Sequence, residues 1–284
     1  MTIFSHLSAT PVKYRRRLIN PLDYTRRLWL QLTVGFGLLF LYAPLVALVA
    51  FSFNDSKRNI VWQGFTFKYY AKAFNNSGLH DAFMNSMIIA SISTVVSTVL
   101  GTLLAIGLAR YKFKGKALYD GWVHLPVVIP EICLGVAMLV FFVWANIPLG
   151  LTTITISHIA FSIPFVAVIV RSRMAGFDSS YEEAAIDLGA TPWKIFWDIT
   201  FPYLTPGIVA AALLAFTLSI DDFVITFFTS GPGSTTFPIK IYSMVRFSVT
   251  PEVNAASTIL IALTVILTVA AMLVQGRGEK GMKK

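Results

Sequence analysis

Of the 284 residues, 56% are hydrophobic and only 13% charged, and the mean hydropathy is +0.69. A soluble domain of this length cannot bury so much apolar surface, which leaves an integral membrane protein as the class. The formal charge of +9 would suit a nucleic-acid partner, yet the basic residues cluster beside apolar runs, so they point to a bilayer instead. The single cysteine, Cys133, excludes a disulfide framework and a thiol-rich metal site. Inside its apolar run it reads as a small buried hydrophobe.

Residues 1–27 are basic, with Lys13, Arg15, Arg16, Arg17, Arg26 and Arg27, and contain no long apolar run. Leu28 to Phe51 is too long for a signal-peptide core and no small-residue cleavage site follows it, so it is predicted as a first spanning helix, with Pro44 a tolerable kink. Residues 52–81 form a polar loop whose Trp62, Tyr69 and Tyr70 are expected to anchor at the interface, with contact to a binding protein or a cation as the alternative. The second span, Ser86 to Ala109, carries small residues at Ala90, Thr94, Ser97, Gly101 and Ala105. Such a face lets another helix approach closely; a polar pore lining is the lesser reading.

After a basic turn (Arg110, Lys112, Lys114, Lys116), a third span is predicted from Gly121 to Ile147, broken by Pro126 and Pro130. The fourth runs from Leu149 to Val170. The fifth runs from Pro202 to Phe228, interrupted by Asp221 and Asp222, and the sixth from Ala255 to Val274. No internal repeat is evident. The expected organisation is a basic segment 1–27, an all-α membrane domain of six transmembrane helices over 28–275, and a basic tail 276–284. Most Lys and Arg residues fall in the terminal segments, the 110–116 turn and the segment between spans four and five, so both termini are predicted to be cytoplasmic.

Between spans four and five lies a polar stretch, residues 179–202, that the same rule places in the cytoplasm. Ser179 with Glu182, and Ser180 with Glu183, have capping-box spacing, so a short helix is predicted there. Gly189 ends it, Thr191 caps a second helix, and Pro192 fits that helix's first turn. Lys194 and Asp198, at i,i+4, are expected to brace the second helix. The result is a two-helix knob with an acidic face of Glu182, Glu183 and Asp187.

The chain shows no engine. Nothing matches a Walker-type phosphate loop, an H-E-x-x-H zinc pair or a G-x-S-x-G nucleophile elbow. The four histidines are scattered, and His158 reads as packed or hydrogen-bonded. No catalytic residue, metal site or resident cofactor is therefore expected. The acidic residues within apolar runs are the remaining anomaly. A carboxylate at mid-span costs on the order of 3 kcal/mol, so Asp221 and Asp222 need a partner, a cavity or an interface. Both, and Glu131 after Pro130, are candidate stations on a substrate path. The plainer readings are that Asp221 sits at the outer interface capping the segment that follows, and that Glu131 starts a helix.

The knob carries a specific resemblance. Glu183-Ala184-Ala185, three residues, Gly189, nine residues, Ile199, and then Pro202 resemble the EAA signature of permease subunits of binding-protein-dependent ABC importers; only Phe201 departs, where the family usually has Leu. The resemblance implies a type I ABC importer permease fold and a bacterial inner (plasma) membrane location. It makes the knob a coupling loop that docks on a separate ATPase subunit, itself paired, where ATP-Mg would bind. Glu183, Ala184, Ala185, Gly189, Ile199 and Pro202 are its implied coupling residues. A second permease subunit and an extracytoplasmic binding protein are the other implied partners.

Two further stretches resemble the second permease subunit of spermidine/putrescine importers. One is Ser52-Phe53-Asn54 with Trp62-Gln63-Gly64-Phe65-Thr66 and Tyr70; the other runs from Phe216 through Asp221-Asp222, Ser230-Gly231-Pro232 and Ile241-Tyr242-Ser243 to Pro251-Glu252-Val253-Asn254-Ala255. Ala256-Ser257 depart from the usual Leu-Ala pair. The implied cargo is a polyamine, which acidic stations would favour. The rivals are a permease for an amino acid, iron or a sulfonate, and an ion-coupled secondary transporter using Asp221, Asp222 and Glu131 as ion sites. A membrane scaffold is third, and gives no reason for the spacing of the knob.

Overall fold

The computed structural model describes residues 28–56, 61–247 and 250–281; the basic segment 1–27 and the last tail residues, 282–284, lie outside the described residues. Among the described residues the regular structure is helical, apart from one isolated antiparallel bridge between Asn54 and Phe65. The chain divides after Leu48 into two units. The first holds most of helix α1 (Leu28–Phe51), where the sequence predicts a span; none of its residues is buried.

The second unit is built on three long helices: α3 (Ser77–Arg110), α6 (Leu151–Met174) and α9 (Phe201–Ile220). Each packs on the other two, α3 on α6 most extensively, and α12 (Pro251–Gly281) lies against α9. Small residues explain the closeness of α3 and α6. Ala90, Ser97, Gly101 and Ala105 are buried, and a Cβ on Gly101 would come within 2.7 Å of Val166 Cβ and 2.9 Å of the Ile163 carbonyl oxygen. The face predicted for helix packing is therefore a packing face. Gly101→Ala is expected to overpack this contact by about 1–3 kcal/mol, read as a lower unfolding midpoint of the detergent-purified chain.

Two predicted spans change shape. The third is two helices, α4 (Lys116–Val128) and α5 (Glu131–Trp144), meeting at 108°. Pro130 explains the corner: Ile129 before it is extended (ψ 134°), because proline disfavours the helical conformation in the preceding residue. Cys133, expected to be buried, is exposed on α5. The fifth span begins earlier and ends earlier than predicted. The second knob helix, α8 (Pro192–Ile195), continues through a π-helical turn, Phe196–Thr200, into α9, and the run stops at Ile220. Pro202 has no N–H and its ring crowds the carbonyl four residues back, so the ladder widens before it and Phe201 N–H bonds Phe196 O. Asp221 and Asp222 follow the last helical residue rather than interrupting a span.

Among the described residues, five helices are long and apolar enough to cross a membrane, and the α4–α5 pair makes six if it counts as one bent span. Two other boundaries move outward: α3 starts at Ser77, and α12 runs from Pro251 through the predicted start of the basic tail to Gly281.

Candidate functional site: the coupling knob and the break after α9

The knob's first helix is α7 (Ser180–Asp187). Its start differs from the predicted capping boxes. Asp178 Oδ1, not a serine, accepts the Ser180 N–H at 2.9 Å, and these Ser180 bonds hold the Asp178 carboxyl below its ordinary pKa. Ser179 Oγ reaches the Glu183 carboxylate at 3.4 Å instead. The rest follows expectation: Gly189 turns with φ +80°, and Thr191 Oγ1 accepts the Lys194 N–H at 3.4 Å with Pro192 in the first turn. The Lys194–Asp198 brace does not form, because the π-turn changes the register between them.

No residue of α7 is buried. Glu183, Ala184, Gly189 and Pro202 are exposed, while Ala185 and Ile199 are partly covered. Around them stand apolar side chains left exposed among the described residues: Tyr181, Ile186, Trp193 and Leu188, the last 89% exposed. A knob that presents apolar side chains beside charged ones in this way is suited to a partner. Glu182 is the exception in the acidic face. It turns away from solvent and takes hydrogen bonds from Arg110 and Thr200, and so stands apart from the acidic face read in the sequence.

The second candidate site lies at the other end of α9, about 30 Å away for a helix of 20 residues. The two aspartates there have different surroundings. Asp222 is sealed in, its side chain 6% exposed, and it faces His158 Nε2 at 3.2 Å. It also accepts the Thr226 N–H and Thr226 hydroxyl, both at 2.7 Å, and the Ile225 N–H at 3.3 Å, which makes it the cap of the short helix α10 (Val224–Thr229). His158, on α6, bonds Ser219 Oγ through Nδ1 at 2.7 Å, and Ser93 on α3 donates to the same oxygen at 3.0 Å. One buried polar network thus joins α3, α6, α9 and α10. The sequence offered His158 as a packed histidine and a cap for the segment after α9; it gave no sign that these were one contact, or that Asp222 rather than Asp221 was the cap.

Asp221 is exposed. Glu131 is exposed in the first turn of α5, the helix that packs on α10, and lies near enough to Asp221 to act on it electrostatically. Asp221 and Glu131 are thus both exposed on adjoining elements, whereas the Asp222 side chain is enclosed. Among the described residues no group of three or more His, Cys, Asp or Glu side chains is placed to hold a metal ion.

The aromatic loop after α1 serves the fold more than a ligand. Tyr69 is buried and its hydroxyl donates to Ser56 O at 2.6 Å; the Tyr70 hydroxyl pairs with Ser52 Oγ at 2.7 Å. Only Trp62 of the three predicted anchors is exposed. Nearby, Lys72 of α2 (Lys68–Phe74) reaches Glu252 of α12 at 2.6 Å, which holds the ammonium above its ordinary pKa, and Asn76 donates to the same carboxylate at 2.9 Å. This clamp between distant segments was not legible in the sequence.

Residues 97–284 match the family model of the binding-protein-dependent transport system inner membrane component. The chain belongs to this family. Among curated members it is 41% identical over 242 residues to the spermidine/putrescine transport system permease protein PotC of Escherichia coli strain K12, covering 85% of this chain and 92% of the relative. It is 38% identical over 270 residues to the putrescine transport system permease protein PotI of the same strain (92% and 96%). A more distant member, the molybdenum transport system permease protein ModB of Haemophilus influenzae, is 32% identical over 70% of this chain and 95% of its own. The fold matches a bacterial ABC transporter involved in alginate import at TM-score 0.68 and 17% identity, over 91% of this chain and 96% of that one. It also matches an amino acid ABC transporter with TM-score 0.56 at 14% identity, over 76% and 100%. This family member is accordingly a multi-pass inner-membrane permease of the ABC importer type, with the fold the knob's signature implies.

Proposed function

We propose that this permease, with a second permease subunit, forms the path by which putrescine or spermidine enters the cell, and that its knob docks on a separate ATPase subunit that holds ATP-Mg. The observation that carries the cargo is the extent of the likeness: two relatives, both named for putrescine transport, match over 85% and 92% of this chain. Asp221 and Glu131, exposed beside the break after α9, supply negative charge where a cationic cargo would need it. An extracytoplasmic binding protein delivers the polyamine, and closure of the ATPase dimer switches the cavity from outward to inward access. No step of ATP chemistry is assigned to this chain.

Uptake of labelled putrescine into cells lacking this chain, restored by its expression, tests the cargo. Excess spermidine is expected to compete, and histidine or molybdate to leave uptake unchanged. Competition by molybdate or an amino acid with none by spermidine would move the cargo to another branch of the family.

Both termini and the knob are assigned to the cytoplasm, from the distribution of Lys and Arg. In a Cys133→Ser background expressed without the ATPase, Leu188→Cys is expected to react with a membrane-impermeant maleimide in inverted vesicles and not in intact spheroplasts. The opposite pattern would reverse the orientation.

A further inference from the structure

We propose that Glu182 is a positioning residue that locks the knob to the end of α3, separating its task from that of the adjacent Glu183. The proposal rests on the reading of the knob as the part that receives the ATPase's motion. Arg110 is the last residue of α3, Glu182 lies in the first turn of α7, and Thr200 closes the π-turn that leads into α9. Three hydrogen bonds close a ring among them. The Arg110 guanidinium donates to the Glu182 carboxylate and, at 3.0 Å, to Thr200 Oγ1; the Thr200 hydroxyl donates to the same carboxylate oxygen. Thr200 is buried, and the Glu182 side chain is 18% exposed although it projects from a helix with no buried residue.

That contrast gives the ring its meaning. α7 lacks apolar burial to fix it in place, and it packs chiefly on α8 and the π-turn. Its orientation relative to α3 must then come from polar ties, and charge-assisted bonds that share one guanidinium are directional enough to supply them. The guanidinium also sits at the C-terminal end of α3, where a helix favours positive charge. α3 carries the most extensive helix packing in the bundle, against α6, with a close approach at Gly101. A push on α7 therefore enters the bundle by two routes, along α9 through the chain and into α3 through Glu182. Adjacent helical residues point about 100° apart, so Glu183 stays free for the partner while Glu182 faces the bundle.

The test uses the whole transporter in proteoliposomes, with polyamine uptake and ATP hydrolysis measured in the same preparation and the retained ATPase quantified on purification. Glu182→Ala and Thr200→Val are expected to keep the ATPase bound and to lower the cargo moved per ATP, by about tenfold for Glu182→Ala. Glu182→Gln, whose amide oxygen still accepts both bonds, is expected to restore most of the ratio, and Arg110→Glu with Glu182→Arg to restore part of it. Loss of bound ATPase in Glu182→Ala would make Glu182 a docking residue and overturn the proposal. An unchanged ratio in both Glu182→Ala and Thr200→Val would overturn it as well. Leu188→Asp checks the underlying reading alone: normal ATPase retention and uptake in that variant would remove the knob's role, and the proposal with it.

Discussion

Leu188→Asp is expected to strip the ATPase from the purified complex and to abolish polyamine uptake, while leaving the stability of the chain itself nearly unchanged. Leu188 closes the first knob helix just before the Gly189 turn and is 89% exposed, so it contributes almost nothing to the fold of this chain. Its value must be realised in a partner. A carboxylate placed in the apolar centre of an interface loses the burial of the leucine and adds an unpaired charge. Truncations at such centres cost about 2–4 kcal/mol, a loss of roughly 30- to 1,000-fold in affinity. The midpoint of thermal unfolding of the isolated chain should move by no more than an exposed substitution does, about 0.5 kcal/mol in either direction. Co-purification of the ATPase and the unfolding midpoint, measured side by side, separate an interface effect from misfolding.

The second large effect is at the break after α9, and it distinguishes two neighbouring aspartates. His158→Ala is expected to destabilise the chain by about 1–3 kcal/mol, because the buried Asp222 carboxylate and Ser219 hydroxyl each lose a hydrogen-bond partner. Asp222→Ala should unravel the start of α10 as well, since the Ile225 and Thr226 N–H groups lose their acceptor. Asp221→Asn should do neither. Its side chain is exposed, so stability should stay within about 0.5 kcal/mol. Polyamine uptake should nonetheless fall at least about fivefold, the worth of roughly 1 kcal/mol for two unit charges 4 Å apart in water. Replacing the two aspartates together would confound structure with charge. A normal uptake rate in Asp221→Asn would remove that carboxylate from the path.

The parts of this protein that were legible in its sequence are those fixed by local chemistry. Gly189, Thr191 and Pro192 specify their turn and cap whatever surrounds them, and the long apolar run from Leu28 to Phe51 defines a helix with the same bounds in the structure. The small residues on α3 announced a close helix contact, and Gly101 against Val166 is that contact. What escaped depended on residues far apart in the chain. Glu182 was grouped with Glu183 and Asp187 in one acidic face because nothing near it in sequence shows that Arg110 ends a helix beside it. Asp222 and His158 are 64 positions apart, so their pairing needed the packing of α6 on α9 and α10. Proline gave a partial signal: the break expected at Pro130 is a 108° corner, whereas Pro126 stays inside α4 and Pro202 widens a helix rather than starting one.

The most direct test of the central claim, that this permease moves solute only when its knob transmits ATP hydrolysis, is uptake into proteoliposomes holding the chain with its second permease and ATPase, with the binding protein added outside. Putrescine should accumulate when ATP is enclosed and hydrolysable, and not with a non-hydrolysable analogue or with an imposed proton or sodium gradient alone. Gradient-driven accumulation by vesicles containing this chain by itself, indifferent to ATP, would contradict the account and make the exposed acidic residues at the break ion sites of a secondary transporter.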